Sequence, residues 1–183
     1  MSQESLKAAL EACINGLKQN PKSAQVVLTA HTELDEDVRT TAKVRDFPPM
    51  VVDEPPVFGG TDKGMNPGEV LLVALGTCQE IMYSAFASVM GIQLDELKIT
   101  CEGALDLHGM FALDKAVPAG FTRISFETHI KSPESADRIR ELIDMAQSHC
   151  PLLDTITRAV PASGSAYLNG ALISDLDARD AAE

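Results

Sequence analysis

The sequence predicts an α+β fold in a single domain. Segments such as "GFTRISFETHIKS" alternate apolar and polar residues as strands do. Others, such as "SLKAALEACINGLKQN" and "EVLLVALGTCQEIMYSAFASVM", space their apolar residues as helices do. The two kinds of segment do not follow the regular strand–helix–strand order of a parallel sheet, and neither a repeat nor a linker divides the chain. With 183 residues and 45% hydrophobic content, there is material for one substantial core.

A first helix is expected over residues 3–18, stopped where Pro21 follows Asn20, so that residues 1–24 form an N-terminal helical extension. Cys13 falls on its apolar face and reads as a packing residue. "AQVVLTAHTEL" and "VRTTAKVRDF" then read as two strands joined by the acidic turn Asp35-Glu36-Asp37, with Val26, Leu28 and Ala30 on one face. "PPMVVDEPP" is a short strand bounded by prolines, which suits a sheet edge. "FGGTDKGMNPG" is a glycine-dense connector of the kind that borders sites.

Pro67 opens a long helix with Glu69 in its first turn, where the helix dipole favours a negative charge, and Gly91 ends it. "LDELKITCEGALDLHG" follows as a strand that carries Cys101. "GFTRISFETHIKS" is another, in which Phe121, Ile124 after a slip, Phe126, Thr128 and Ile130 share a face. In "SPESADRIRELIDMAQSHC", Ser132 reads as a cap, Pro133 as the first helical residue, and Ile139, Leu142, Ile143 and Ala146 as the buried stripe. After Cys150-Pro151 come a short helix, "LLDTITRAV", and a last strand, "SAYLNGALI". The main domain thus covers residues 25–173, and residues 174–183 form a polar, frayed tail.

A formal charge of −12 argues against a nucleic-acid surface, which needs a basic face, and against anionic lipid surfaces. Residues 70–90 are long enough to span a bilayer, but Gln79 and Glu80 sit mid-span, so a buried helix rather than a membrane segment is expected. The N-terminus "MSQESLKAAL" lacks the basic-then-apolar pattern of a signal peptide, which predicts a cytoplasmic protein with reduced thiols. The four cysteines are widely spaced and form no C-x-x-C, which leaves a zinc ribbon unsupported. His149 beside Cys150 lacks a third ligand by spacing, so no metal and no cofactor is expected.

Two thiols are the candidates for chemistry. Cys150 precedes Pro151 and so falls at the N-cap of a short helix, where backbone N–H groups favour a thiolate. Cys78 lies inside the long helix, on one face with Leu71, Ala74, Leu75 and Met82, surroundings that raise a thiol pKa unless a cation approaches. Cys101, in its strand, reads as buried and inert. Spacing alone leaves open whether Cys78 is core filler or half of a reactive pair.

"NPGEVLLVALGTC" followed much later by "HCPLLDTI" resembles the OsmC/Ohr family, the osmotically induced and organic-hydroperoxide-resistance proteins. "VVDEPPVFGGTDKGMNP", leading into the helix, is closer to the broader OsmC-like group than to either named branch. The likeness covers residues 44–171. It implies curved, mostly antiparallel sheets packed around a long central apolar helix, in an intertwined homodimer with sites assembled from both chains. It also implies a two-cysteine peroxidase in oxidative stress defence. Cys78 would attack an organic hydroperoxide and become sulfenic acid, Cys150 would close a disulfide, and an external dithiol, often lipoyl-linked, would restore the pair.

The best-known branches add an arginine from the N-terminal part and a glutamate at the mouth of the long helix. Arg45 is the first choice for the arginine and Arg39 the second. The glutamate's position is filled by Gly68, and Glu69 stands one residue later, roughly opposite Cys78 on an ideal helix. Glu69 therefore reads equally as a catalytic group and as a dipole partner. That departure keeps a second reading alive, a non-peroxidase small-ligand binder or redox sensor of the same fold. A third, in which Cys78 is only core, also stands.

Overall fold

The computed structural model describes residues 3–177. Helix α1 (Gln3–Gln19) leads to the strands β1 (His31–Glu36), β2 (Arg39–Lys43) and β3 (Met50–Val52), then to the long helix α2 (Pro67–Met90). There follow β4 (Glu96–Leu105), the short α3 (Leu107–Met110), β5 (Phe121–Lys131), α4 (Ala136–Ser148), α5 (Pro151–Thr157), β6 (Ser163–Leu168) and β7 (Ala171–Asp177). The strands form three antiparallel sheets: β1-β2-β3, β4-β5 and β6-β7. This is the expected α+β mixture.

α2 is the axis because its ends are written into the chain. Asn66 accepts from the Glu69 N–H at 2.9 Å while Glu69 accepts from the Asn66 N–H at 2.8 Å, a reciprocal capping box with Pro67 in the first turn. Gly91 takes a φ of 67° and stops the helix, a conformation that favours glycine. By length and composition alone α2 could cross a membrane. In the fold it is packed by α1, β4, α4 and α5. Tyr83, Ala87 and Ile92 bury themselves against Leu142 and Ala146 of α4, with Ile139 and Ile143 beside them, so the predicted stripe of α4 is its buried face. Full burial of a leucine-sized side chain stabilises by roughly 1.5–3 kcal/mol.

The slip foreseen in β5 is a bulge: Leu105 pairs with Phe121 but Ala104 with Arg123, leaving Thr122 over. Other expectations need correcting. Residues 25–30 are not strand, and Val26, Val27 and Leu28 are 75%, 90% and 92% exposed. β1 starts where His31 meets Lys43; beyond Lys43 the chain turns, with Arg45 at φ 50°, so residues 25–30 find no partner strand. The cap of α4 is Ser135, not Ser132, whose hydroxyl instead donates to the Gln93 carbonyl and accepts from the Glu134 N–H. "SAYLNGALI" is not one strand but a hairpin turned at Asn169 and Gly170, both in the left-handed region, as a two-residue turn of that type requires. Residues 174–177, expected in a frayed tail, belong to β7, and residues 178–183 lie outside the described residues. Cys13 is exposed, because only the first half of α1, through Leu6 and Leu10, rests on α2.

The connector before α2 is built around a buried carboxylate that the sequence reading passed over. Asp53, 1% exposed, accepts from the Thr61 hydroxyl at 2.7 Å, the Thr61 and Lys63 N–H groups at 3.1 Å, and the Glu54 N–H at 2.8 Å. The Thr61 hydroxyl first, then the three N–H groups, hold its pKa at about 2 despite the opposing effect of burial. Gly60 is required here, since a Cβ would lie 1.8 Å from the Glu54 carbonyl oxygen.

Candidate active site

Cys78 sits halfway along α2, half-buried, and Cys150 sits at the junction of α4 and α5, fully buried. Although they are 72 positions apart, their sulfurs lie 3.5 Å from each other, with the Cys150 thiol donating to the Cys78 sulfur. Both are free thiols. The packing of α4 and α5 on α2 is what brings them together.

The electrostatics fall differently from the sequence expectation. Cys150 is the N-cap of α5 as predicted, but its side chain makes no capping bond. The N–H of Leu152, in the first turn of α5, is bonded instead to the Cys78 sulfur. Burial pushes the Cys78 thiol above its ordinary pKa, the Leu152 N–H opposes that, and the Cys150 thiol adds to it by its hydrogen bond and by charge. Among the described residues no cation contributes. The signal for Leu152 was present in the sequence: a helix opened by Pro151 leaves its next N–H groups free for an acceptor.

The other predicted residues stand apart from this pair. Arg45 lies in the exposed turn after β2 with its guanidinium 4.6 Å over the ring of Phe47. Arg39 is paired with Glu36 at 2.7 Å. Glu69 is held on both sides by the capping box. At Gly68, a Cβ would lie 3.2 Å from the ring of Phe121. The same ring covers Gly103 of β4, where a Cβ would lie 2.4 Å away, so Phe121 fills a notch left by two glycines.

Cys101 is half-buried on another side of α2, its sulfur 3.4 Å from where a Cβ on Gly76 would stand. Burial, then the Glu80 carboxylate, push its thiol pKa up, which fits the inert role expected of it. Glu80 shares a cavity wall with Cys101 rather than with Cys78. His149 is exposed, its Nδ1 2.9 Å from the Met145 carbonyl oxygen and from the Ser148 hydroxyl, its ring against Phe86. Gln79, next to Cys78, is fully buried, and neither of its amide atoms has a hydrogen-bond partner among the described residues. Nothing in the structure explains that.

Comparison with known proteins agrees with this architecture. The family model described as "OsmC-like protein" matches residues 60–163. Among solved structures, an OsmC-like protein from Mycoplasma pneumoniae is similar with a TM-score of 0.64 and 25% identity, covering 73% of this chain and 89% of that one. An organic hydroperoxide resistance protein OsmC from Legionella pneumophila gives 0.55 and 20%, covering 72% and 91%. An OsmC-like protein of unknown function from Vibrio cholerae gives 0.58 and 10%, covering 72% and 94%. No curated protein sequence matches the chain.

Proposed function

The chain belongs to the family of OsmC-like proteins, and from that premise we propose that it is a thiol peroxidase that reduces organic hydroperoxides. The observation that carries the reading is the 3.5 Å approach of the Cys78 and Cys150 sulfurs. Two thiols in such contact need only small side-chain rotations to reach the bonding distance of about 2.0 Å.

In this reading the Cys78 thiolate attacks the hydroperoxide. A sulfur–oxygen bond forms, the O–O bond breaks, and the alkoxide takes a proton from water and leaves as the alcohol. The Cys150 thiol then attacks the sulfenic sulfur; a disulfide forms, and the hydroxyl leaves with the thiol proton as water. An external dithiol, such as a lipoyl-linked one, returns two electrons and two protons by exchange and is itself oxidised to a disulfide. Cys78 is the attacking residue because it is the more accessible sulfur and receives the Leu152 N–H, whereas Cys150 is fully buried. The protein works in the cytoplasm, where such thiols are kept reduced.

The working form is a homodimer. Val73 and Ile81 on α2 are 46% and 66% exposed, β1 and β6 are exposed along their length, and residues 26–28 leave an apolar edge that a second copy can pair. Arg45 then supplies its cation to Cys78 of the other subunit. Glu69 serves the helix mouth through its capping box rather than the peroxide.

A redox sensor or ligand binder is the second reading, favoured by Gly68 in the glutamate's position and by the absence, among the described residues, of a cation acting on Cys78 within one chain. Peroxide consumption with excess dithiol separates the two. The peroxidase turns over cumene hydroperoxide many times and faster than hydrogen peroxide, and Cys78→Ser abolishes this. Cys150→Ser leaves a sulfenic acid that dimedone traps. A single stoichiometric oxidation without turnover would favour the sensor, and an active Cys78→Ser would end the peroxidase assignment.

A further inference from the structure

The long helix α2 carries only two charged residues, Glu69 and Glu80. Glu69 is accounted for by the capping box. Glu80 stands in the helix interior, in neither the first turn nor the last, so the helix dipole gives no reason for a charge there. It is half-buried, and among the described residues it has neither an ion pair nor a hydrogen bond. A carboxylate drawn partly out of water without a partner is costly, and an apolar residue in its place would not be.

The surroundings of Glu80 form a site. A cavity of about 330 Å³ opens between α2 and β4, with Leu72, Val73 and Ile99 as apolar walls and Glu80 as its one charged group. That volume lies within the range of small-molecule sites. Gly76 and Cys101 also line it, and the missing side chain at Gly76 keeps it open beside the Cys101 sulfur. The Thr77 hydroxyl, on the same wall, donates to the Val73 carbonyl at 2.7 Å and so is turned back onto its own helix rather than toward Glu80. The Glu80 carboxylate acts on the Cys101 thiol across this space by charge, without a hydrogen bond.

We propose that this cavity is a binding site for a small primary amine, its ammonium group held by Glu80 and its hydrocarbon stem lying against Leu72, Val73 and Ile99. The charge balance favours such a ligand at two ranges. The net charge of −12 draws small cations toward the protein, and the lone carboxylate fixes where one with an apolar stem comes to rest. The site lies on another side of α2 from the thiol pair, so neither the ligand nor its test depends on peroxide turnover.

The test measures calorimetric binding of hexylamine, as its ammonium form at pH 7, against hexanol. The wild type is expected to bind the amine at least tenfold more tightly, and Glu80→Gln, which keeps the shape of the side chain, to bring that ratio down to about one. Circular dichroism melting checks that the variant is folded, and the wild-type comparison stands without it. Cys101 supplies a second readout at the cavity itself. Its modification by cationic 2-aminoethyl methanethiosulfonate is compared with that by neutral methyl methanethiosulfonate, through mass spectrometry of its peptide. Dividing the two rates cancels the acidity of the thiol, and the same ratio at the exposed Cys13 measures the field of the whole protein. The ratio at Cys101 is expected to exceed that at Cys13 about tenfold, and to fall to the Cys13 value in Glu80→Gln. Hexylamine bound no more tightly than hexanol by the wild type overturns the proposal, as does a preference that survives in Glu80→Gln. So does a ratio at Cys101 equal to that at Cys13, which is the result expected if a second copy seals the cavity and meets Glu80 with a lysine or arginine of its own.

Discussion

Cys78 is pulled in two directions by its neighbours. Burial and the Cys150 thiol disfavour its thiolate, and the Leu152 N–H favours it. The sign of a Cys150→Ala change follows directly. Removing a group that raises the Cys78 pKa lowers that pKa, so the thiolate forms at lower pH. Alkylation of Cys78 by iodoacetamide, followed across pH by mass spectrometry of its peptide, should therefore reach half-maximal rate at a lower pH in Cys150→Ala than in the wild type. An unchanged or higher midpoint would mean that the two thiols do not interact in the reduced protein. The same residue scale explains the departure at Gly68. With the Phe121 ring 3.2 Å from the Cβ position, a longer side chain there has to displace that ring. The sequence reading could see that a glutamate was missing but not what had taken its space, because the ring arrives from β5, over fifty residues later.

Among the elements, legibility followed how local the determining interactions are. α2 was readable end to end, because Asn66, Pro67, Glu69 and Gly91 act within one turn of its termini. The buried stripe of α4 was equally plain, yet its start was misplaced, since both Ser132 and Ser135 are plausible caps and only the contact from Ser132 to Gln93 decides between them. The hairpin of β6 and β7 was missed although Asn169-Gly170 is a strong local turn signal; the apolar residues on both sides were read as one run. The loop before α2 was read only as a glycine-dense connector, whereas Asp53 gathers it through four hydrogen bonds. Since the folded pKa of Asp53, about 2, lies below the ordinary 3.8, its contribution to stability is complete above pH 4 and is lost as pH falls toward 2. Asp53→Asn should lower the Tm at pH 7 and flatten the fall in Tm between pH 4 and 2, as followed by circular dichroism. A variant with the wild-type acid profile would show that the carboxylate charge is not what holds the loop.

At the scale of the whole molecule, one chain brings its two thiols together but leaves the predicted arginine on an outer turn. The residues that the sequence marked as apolar strand, 26–28, are 75–92% exposed, and among the described residues no strand of the same chain lies beside them. The pattern was legible but no partner for it lies within the chain, and the dimer proposed above offers one in a second copy. If Arg45 reaches Cys78 across that dimer, the two residues belong to different chains at every site. Arg45→Ala and Cys78→Ser should then each lose hydroperoxide turnover when pure. Co-refolding equal amounts of the two gives heterodimers in about half of the population. Each has one site that joins Cys78 of one chain to Arg45 of the other, so about a quarter of wild-type activity should return. Recovery of that size, absent when the variants are mixed without unfolding, places the arginine in trans. If refolded mixtures stay as inactive as the pure variants while remaining dimeric by size-exclusion chromatography, Arg45 does not act across the interface, and the cation for Cys78 has to come from elsewhere.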